Sequence, residues 1–212
     1  MTGVAAFLAP GLRKLDPEGR LTNEPADADA LAGHEHLIVF DLEMSGPNAT
    51  VHEILDIGAV HIGLAPGFPE HGSVASKVRP KRIGNAEPGA LKVVGYSSKL
   101  WKDAPDLERS FPQLVGLASG RVLAGWGIGQ DIAFLVEACR QLALPWPFAL
   151  IALDIQPIAR GLLKSTGQVD RFNLGHVADR LGIGRMGEHS ALADAYAAFD
   201  VLVKLAERAE PA

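Results

Sequence analysis

The chain has 212 residues, a net charge of −5 and one cysteine, which fits one sizeable domain, or one domain with an extension, of ordinary globular composition. No apolar run approaches the roughly 18–20 residues of a membrane span, and a lone cysteine excludes a disulfide framework or a thiolate zinc centre within the chain. The start, MTGVAAFLAPGLRKLD, has no basic stretch before its apolar part and no clear cleavage site, so a cytoplasmic location is the expectation.

Residues 1–33 mix Ala, Pro, Gly and acids and read as an N-terminal extension or linker, with a short helix near Ala5–Leu8; residues 34–212 form the domain. The domain opens with HLIVFDLEM (36–44), in which Leu37 to Phe40 have the pattern of a strand covered on both faces. Asp41 and Glu43 end that strand two positions apart, so the period of two sends both carboxylates to one side. Like charges roughly 6–7 Å apart in a part-dry place repel, and a divalent cation is the simplest compensation. A strand end emerging into solvent with two unremarkable acids is the alternative.

EILDIGAVHIGL (53–64) and SVASKVRP (73–80) read as two further strands joined by short connections, as suits antiparallel neighbours. From Lys77 to Arg109 the chain carries eight basic residues against four acidic ones. That local excess leaves room for nucleic acid, although the net charge argues against wrapping a long duplex. Helical spacing then appears over 104–118, interrupted by Pro112, followed by a strand over 121–126 and a helix from Asp131 to Leu144. A fifth strand (148–154), helices over 155–164 and 172–182, and a long Ala-rich helix over 189–209 complete the chain. Three strands followed by alternating strands and helices imply an α/β domain on a mixed five-stranded sheet flanked by helices.

Two remote segments bear on the strand-borne acids. AGWGIGQDIAFL (124–135) is a strand, a glycine-rich turn and a helix opened by Asp131, which taken alone reads as a helix cap. The glycine spacing lacks the full dinucleotide fingerprint. In GEHSALADAYAAF (187–199), His189 and Asp194 are five apart, about 140° on a regular helix. The spacing suits His189 in the loop or first turn and Asp194 on the helix proper, with a solvent histidine and a surface acid as the alternative.

The ordered set, strand-borne Asp-x-Glu, then Asp after a Gly turn, then His-x-x-x-x-Asp, resembles the DEDD-type 3′–5′ exonucleases of the histidine-containing subgroup. The likeness covers roughly 36–205 and includes EILDIGAV, ALDIQPIARGLL and FNLGHVADRLGI. It implies a ribonuclease-H-like fold and two divalent cations, Mg²⁺ or Mn²⁺. Asp41, Glu43, Asp131 and Asp194 would be their ligands and His189 the general base. The implied partner is the 3′ end of single-stranded DNA or RNA. Leu42, Met44 and Trp126 are candidates to contact the terminal base and sugar, with core packing as the alternative for each. Many relatives have His-Asn where this chain has Trp126-Gly127, and DLEM and GQD look closer to oligoribonuclease. The chain ends a few residues after its last predicted helix, without the long tail by which proofreading subunits hold a polymerase. A free-standing exonuclease without a stable polymerase partner or membrane contact is therefore expected, with a homodimer left open. The rivals are a non-catalytic binding module on the same fold and a phosphodiesterase restricted to very short oligonucleotides.

Overall fold

The computed structural model describes residues 2–164, 169–184 and 190–209. Helix α1 (Thr2–Leu8) leads into a hairpin of β1 (Leu12–Leu15) and β2 (Leu21–Pro25). Asp16-Pro17-Glu18-Gly19 makes the turn. One Asp16 carboxylate oxygen accepts from the N–H groups of Glu18 at 3.0 Å and Arg20 at 2.9 Å. Gly19 has a φ of +87°, and a β-carbon there would stand 2.2 Å from the Trp146 indole, so both backbone and packing demand glycine.

Three antiparallel strands follow: β3 (His36–Met44), β4 (Ile54–Gly63) and β5 (Glu70–Lys77). Short helices α2 (Pro88–Val94) and α3 (Ser98–Trp101) precede α4 (Leu107–Ala118), which keeps Pro112 in its second turn. The remainder alternates: β6 (Val122–Gly125), α5 (Gly129–Gln141), β7 (Ile151–Asp154) and α6 (Ile155–Leu163). Helices α7 (Leu174–Arg180) and α8 (Ala191–Ala209) close the described chain.

The sheet order is β2-β1-β7-β6-β3-β4-β5. Strands β7, β6 and β3 run parallel, and every other neighbouring pair is antiparallel. The fold is the expected mixed α/β sheet with helices on both faces, but the described sheet has seven strands where the sequence reading gave five. The two additional strands are β1 and β2, inside the 1–33 stretch read as an extension or linker. Leu-Arg-Lys-Leu lacks a period of two, and β2 is exposed along most of its length, so neither carries the alternation that marks a strand.

Strand β3 separates two cores. Leu37 and Val39 pack with residues of α6, α7 and α8, such as Ile158, Val177 and Leu202. Ile38, Phe40 and Leu42 pack with α4 and α5 through Phe111, Leu114, Ile132 and Leu135. This alternation places Asp41 and Glu43 on the α8 face, at the carboxyl end of the parallel strands, where open α/β sheets bind their ligands.

Candidate active site

Three polypeptide segments meet at that end. Asp41 and Glu43 arrive on β3, and Asp194 arrives in the first turn of α8. Ligand oxygens of Asp41, Glu43 and Asp194 all lie within 4.8 Å of one another. Asp131, in the first turn of α5, reaches the same strand by another route. Pairing of β3 with β6 stops at Val39, which leaves the Leu42 N–H beyond the neighbour's end. A carboxylate oxygen of Asp131 accepts from it at 3.2 Å. The acid thus takes the place of the strand partner that β6 no longer supplies.

The electrostatics of this group follow from burial and like charge. Burial pushes the Asp41 carboxyl well above the ordinary range, and Asp131, Glu43, Asp194 and Asp56 push it further the same way. Glu43 is raised to about 7 by burial, then by Asp194, Asp56 and Asp131, with Lys77 pulling back. Asp131 is raised to about 7, chiefly by burial, against its own backbone N–H and that of Leu42. Asp41, Glu43 and Asp131 thus resist ionising together near neutral pH, and a cation among them would favour it. The donor set is all oxygen, the set preferred by hard divalent ions.

Helix α8 is seated by residues whose part the sequence reading missed. Its first turn lies on β4 at Gly58, where a β-carbon would stand 2.0 Å from the Leu192 nitrogen. Only glycine allows that approach, and the buried Ala191, Ala195 and Ala198 keep α8 near the sheet. Asp56, opposite Glu43 in register and 7 % exposed, accepts from the Ile57 N–H at 3.1 Å and from the Ala191 N–H at the helix start. Its other neighbour is Lys77 at 3.8 Å, whose ammonium also rests 3.9 Å from the Trp101 ring centre. Ser190 caps the same helix, its hydroxyl accepting from the Ala193 N–H at 3.3 Å. Asp154 performs a matching service for the glycine turn before Asp131, accepting from the N–H groups of Gly127 at 2.9 Å and Gln156 at 3.0 Å. An acid inside an apolar strand was the available signal for Asp56. Gly58 offered none, because its partner lies far along the chain.

Of the residues singled out from sequence, Asp41, Glu43 and Asp194 come together, and Asp131 stands against the same strand. His189 lies outside the described residues. Leu42 is 4 % exposed and packs in the core, so its backbone is the part that faces the acids. Met44 is half-buried against the same core, and Trp126 is half-buried against the other, with its Nε1 lacking a hydrogen-bond partner among the described residues.

The sequence model of the exonuclease family RNase_T matches residues 38–202. The chain belongs to that exonuclease family. Among proteins it resembles is one of Mycobacterium tuberculosis named as a bifunctional exonuclease/endonuclease, 29 % identical over 190 residues. That alignment covers 87 % of this chain but 28 % of the relative, so the exonuclease domain spans under a third of that protein. The DNA polymerase III subunit epsilon of Aquifex aeolicus is 23 % identical over 179 residues, covering 80 % of each chain. In structure, the exonuclease domain is similar to the nuclease domain of 3′hExo, described as a DEDDh family member bound to rAMP. The TM-score is 0.63 at 18 % identity, covering 84 % of this chain and 94 % of that one. At that identity the likeness speaks for the fold, and it is the DEDDh fold that the motif order led to. No helix of the described residues is long and apolar enough to cross a membrane.

Proposed function

We propose that residues 34–212, with 1–33 as an extension whose hairpin joins their sheet, act as a metal-dependent 3′–5′ exonuclease. The substrate is single-stranded DNA or RNA, and the products are nucleoside 5′-monophosphates. The observation that carries this reading is the convergence of Asp41, Glu43 and Asp194, with Asp131 alongside, into a site whose charge calls for a cation. The oxygen-only donors fit Mg²⁺ or Mn²⁺, and the number of acids fits two ions. When bound, such ions would draw charge from the scissile phosphate and acidify an attacking water. The protein's own parts follow from the geometry. Asp41 and Glu43 hold the site from a strand packed on both faces, so neither can drift. Asp194 is fixed by the seat of α8 on Gly58, and Asp131 is oriented by the Leu42 N–H. His189, immediately before the cap Ser190, is assigned the proton of the attacking water. Met44 and Trp126 are assigned the terminal nucleotide, Trp126 by stacking.

The test uses purified protein with 5′-labelled, 3′-labelled and 3′-blocked oligonucleotides of DNA and RNA, in Mg²⁺, Mn²⁺ or chelator. Ordered shortening from a free 3′ end that stops with chelator is the expected result. Binding without cleavage in either metal would refute catalysis. Cleavage confined to substrates of two or three nucleotides would move the assignment to a phosphodiesterase of short oligonucleotides.

A further inference from the structure

At the amino end of β3, three histidines from three adjacent strands face one another. Ring centres of His36 and His61 are 4.8 Å apart, those of His36 and His71 5.2 Å, and those of His61 and His71 5.1 Å. His36 and His61 lie on the same face because His61 pairs with Ile38 in the antiparallel register. His71 joins them through an irregularity in the β4–β5 pairing. His61 pairs with Gly72 and Ile62 with Glu70, so His71 is the extra residue of a bulge. Its Nε2 stands 3.0 Å from where a Gly63 β-carbon would be, so the ring lies close over that glycine.

Two features go beyond aromatic packing. His36 Nδ1 and His61 Nε2 are buried and have no hydrogen-bond partner among the described residues. Buried polar nitrogens normally find one, and a neutral imidazole nitrogen without a proton is a lone pair awaiting a donor or a metal ion. The spacing also has a definite meaning. An imidazole bound through a nitrogen about 2.0–2.1 Å from zinc places its ring centre about 3.2 Å from the metal, so three at tetrahedral angles stand about 5.2 Å apart. The three observed separations, 4.8, 5.1 and 5.2 Å, approach that value from below.

We propose that His36, His61 and His71 bind one first-row transition-metal ion of the Zn²⁺ class, tying β3, β4 and β5 together at the end of the sheet away from the carboxylates. In the present rotamers the nitrogens do not converge on one point. Bringing them together requires rotation about the Cβ–Cγ bonds, a motion that leaves the ring centres nearly in place. Imidazole nitrogen suits zinc, copper and nickel, whereas the carboxylate group suits Mg²⁺ or Mn²⁺, so the two ends of the sheet select different ions. A cavity of about 470 Å³ lined by Glu35, His36, Gly63, Pro69 and His71 adjoins two of the three histidines and gives an ion or solvent a way in. Burial, together with Arg121 and the other two histidines, holds His61 below the ordinary histidine range, which keeps its lone pair available at neutral pH. Five residues of extended strand separate His36 from Asp41, roughly 17 Å, too far for one ion to serve both groups.

The test is calorimetric titration of Zn²⁺ into protein without an affinity tag, in excess Mg²⁺ to occupy the carboxylates. A Co²⁺ visible spectrum provides a second readout. One saturable site is expected, retained in Asp194→Asn and weakened at least about tenfold in His71→Ala and in His61→Ala. His71 is exposed, so its variant isolates the ligand from the fold. No saturable Zn²⁺ binding, binding unchanged in His71→Ala, or binding lost in Asp194→Asn would each overturn the proposal and leave three packed imidazoles.

Discussion

Strand β3 is crowded with ionisable groups at both ends, and the two ends differ in how they can relieve the crowding. At the carboxyl end, Asp41 and Glu43 meet Asp194 and Asp131, where burial raises Asp41, Glu43 and Asp131 and the neighbouring acids raise the first two further. Acids relieve such a place only by taking up protons or a cation. At the amino end, where His61 meets His36 and His71, burial and the neighbouring positive groups favour the neutral form of His61. The first end must therefore take up protons or a cation, whereas at the second a cation is an option. The same central strand supports both, with opposite dependence on pH.

The largest expected effect lies at the carboxyl end. Asp41→Ala or Asp194→Ala should reduce turnover of a 3′-hydroxyl oligonucleotide to background. Circular dichroism should show the fold retained, since each change relieves repulsion. His189→Ala should slow cleavage by about 10²–10⁴-fold, the usual range for a lost general base, while Mn²⁺ binding persists. An equal loss of metal binding would remove His189 from its assigned role. Gly58→Val separates seat from site. Its added atoms would collide with the start of α8, and overpacking of this kind costs ~1–3 kcal/mol. A lower melting temperature accompanied by weaker Mn²⁺ binding is expected. Unchanged metal affinity would show that Asp194 does not depend on that contact.

The smallest effect is a pair of opposed pH slopes. In chelator, Glu43 and Asp131 hold protons up to about 7 in the folded chain, whereas unfolded carboxylates release theirs near about 4. Their stabilising contribution is complete below the unfolded value and is lost as pH rises through about 7. His61 behaves in reverse, because its folded pKa lies below the unfolded one. Its contribution is present above about 6.5 and is lost as pH falls. Melting temperatures across this range should show the alkaline-side loss shrink in Asp41→Asn and the acid-side loss shrink in His61→Asn. Identical profiles for wild type and both variants would contradict the electrostatic account of the two ends.

Much of this was legible from residues alone, for particular reasons. Leu37 to Phe40 declared a strand buried on both faces, and the period of two then put Asp41 and Glu43 together without further information. The Ala-rich pattern of α8 carried Asp194 in the same way. The β1–β2 hairpin was missed because its strands are short and largely exposed, although Asp16-Pro17-Glu18-Gly19 is a readable turn. The seat of α8 was not legible, since Gly58 and Leu192 lie on elements whose contact is decided by the fold as a whole. The histidine group escaped for a similar reason. Its three members come from three strands, and His71 joins only through a bulge that shifts the register.

The most direct measurement is calorimetric titration of Mn²⁺ into the wild-type chain near pH 7, repeated in buffers of different ionisation enthalpy. The account predicts saturable binding that releases protons, because Glu43 and Asp131 are partly protonated there, and loss of that binding in Asp41→Ala. Saturable binding without proton release, or binding that survives Asp41→Ala at full strength, would contradict it.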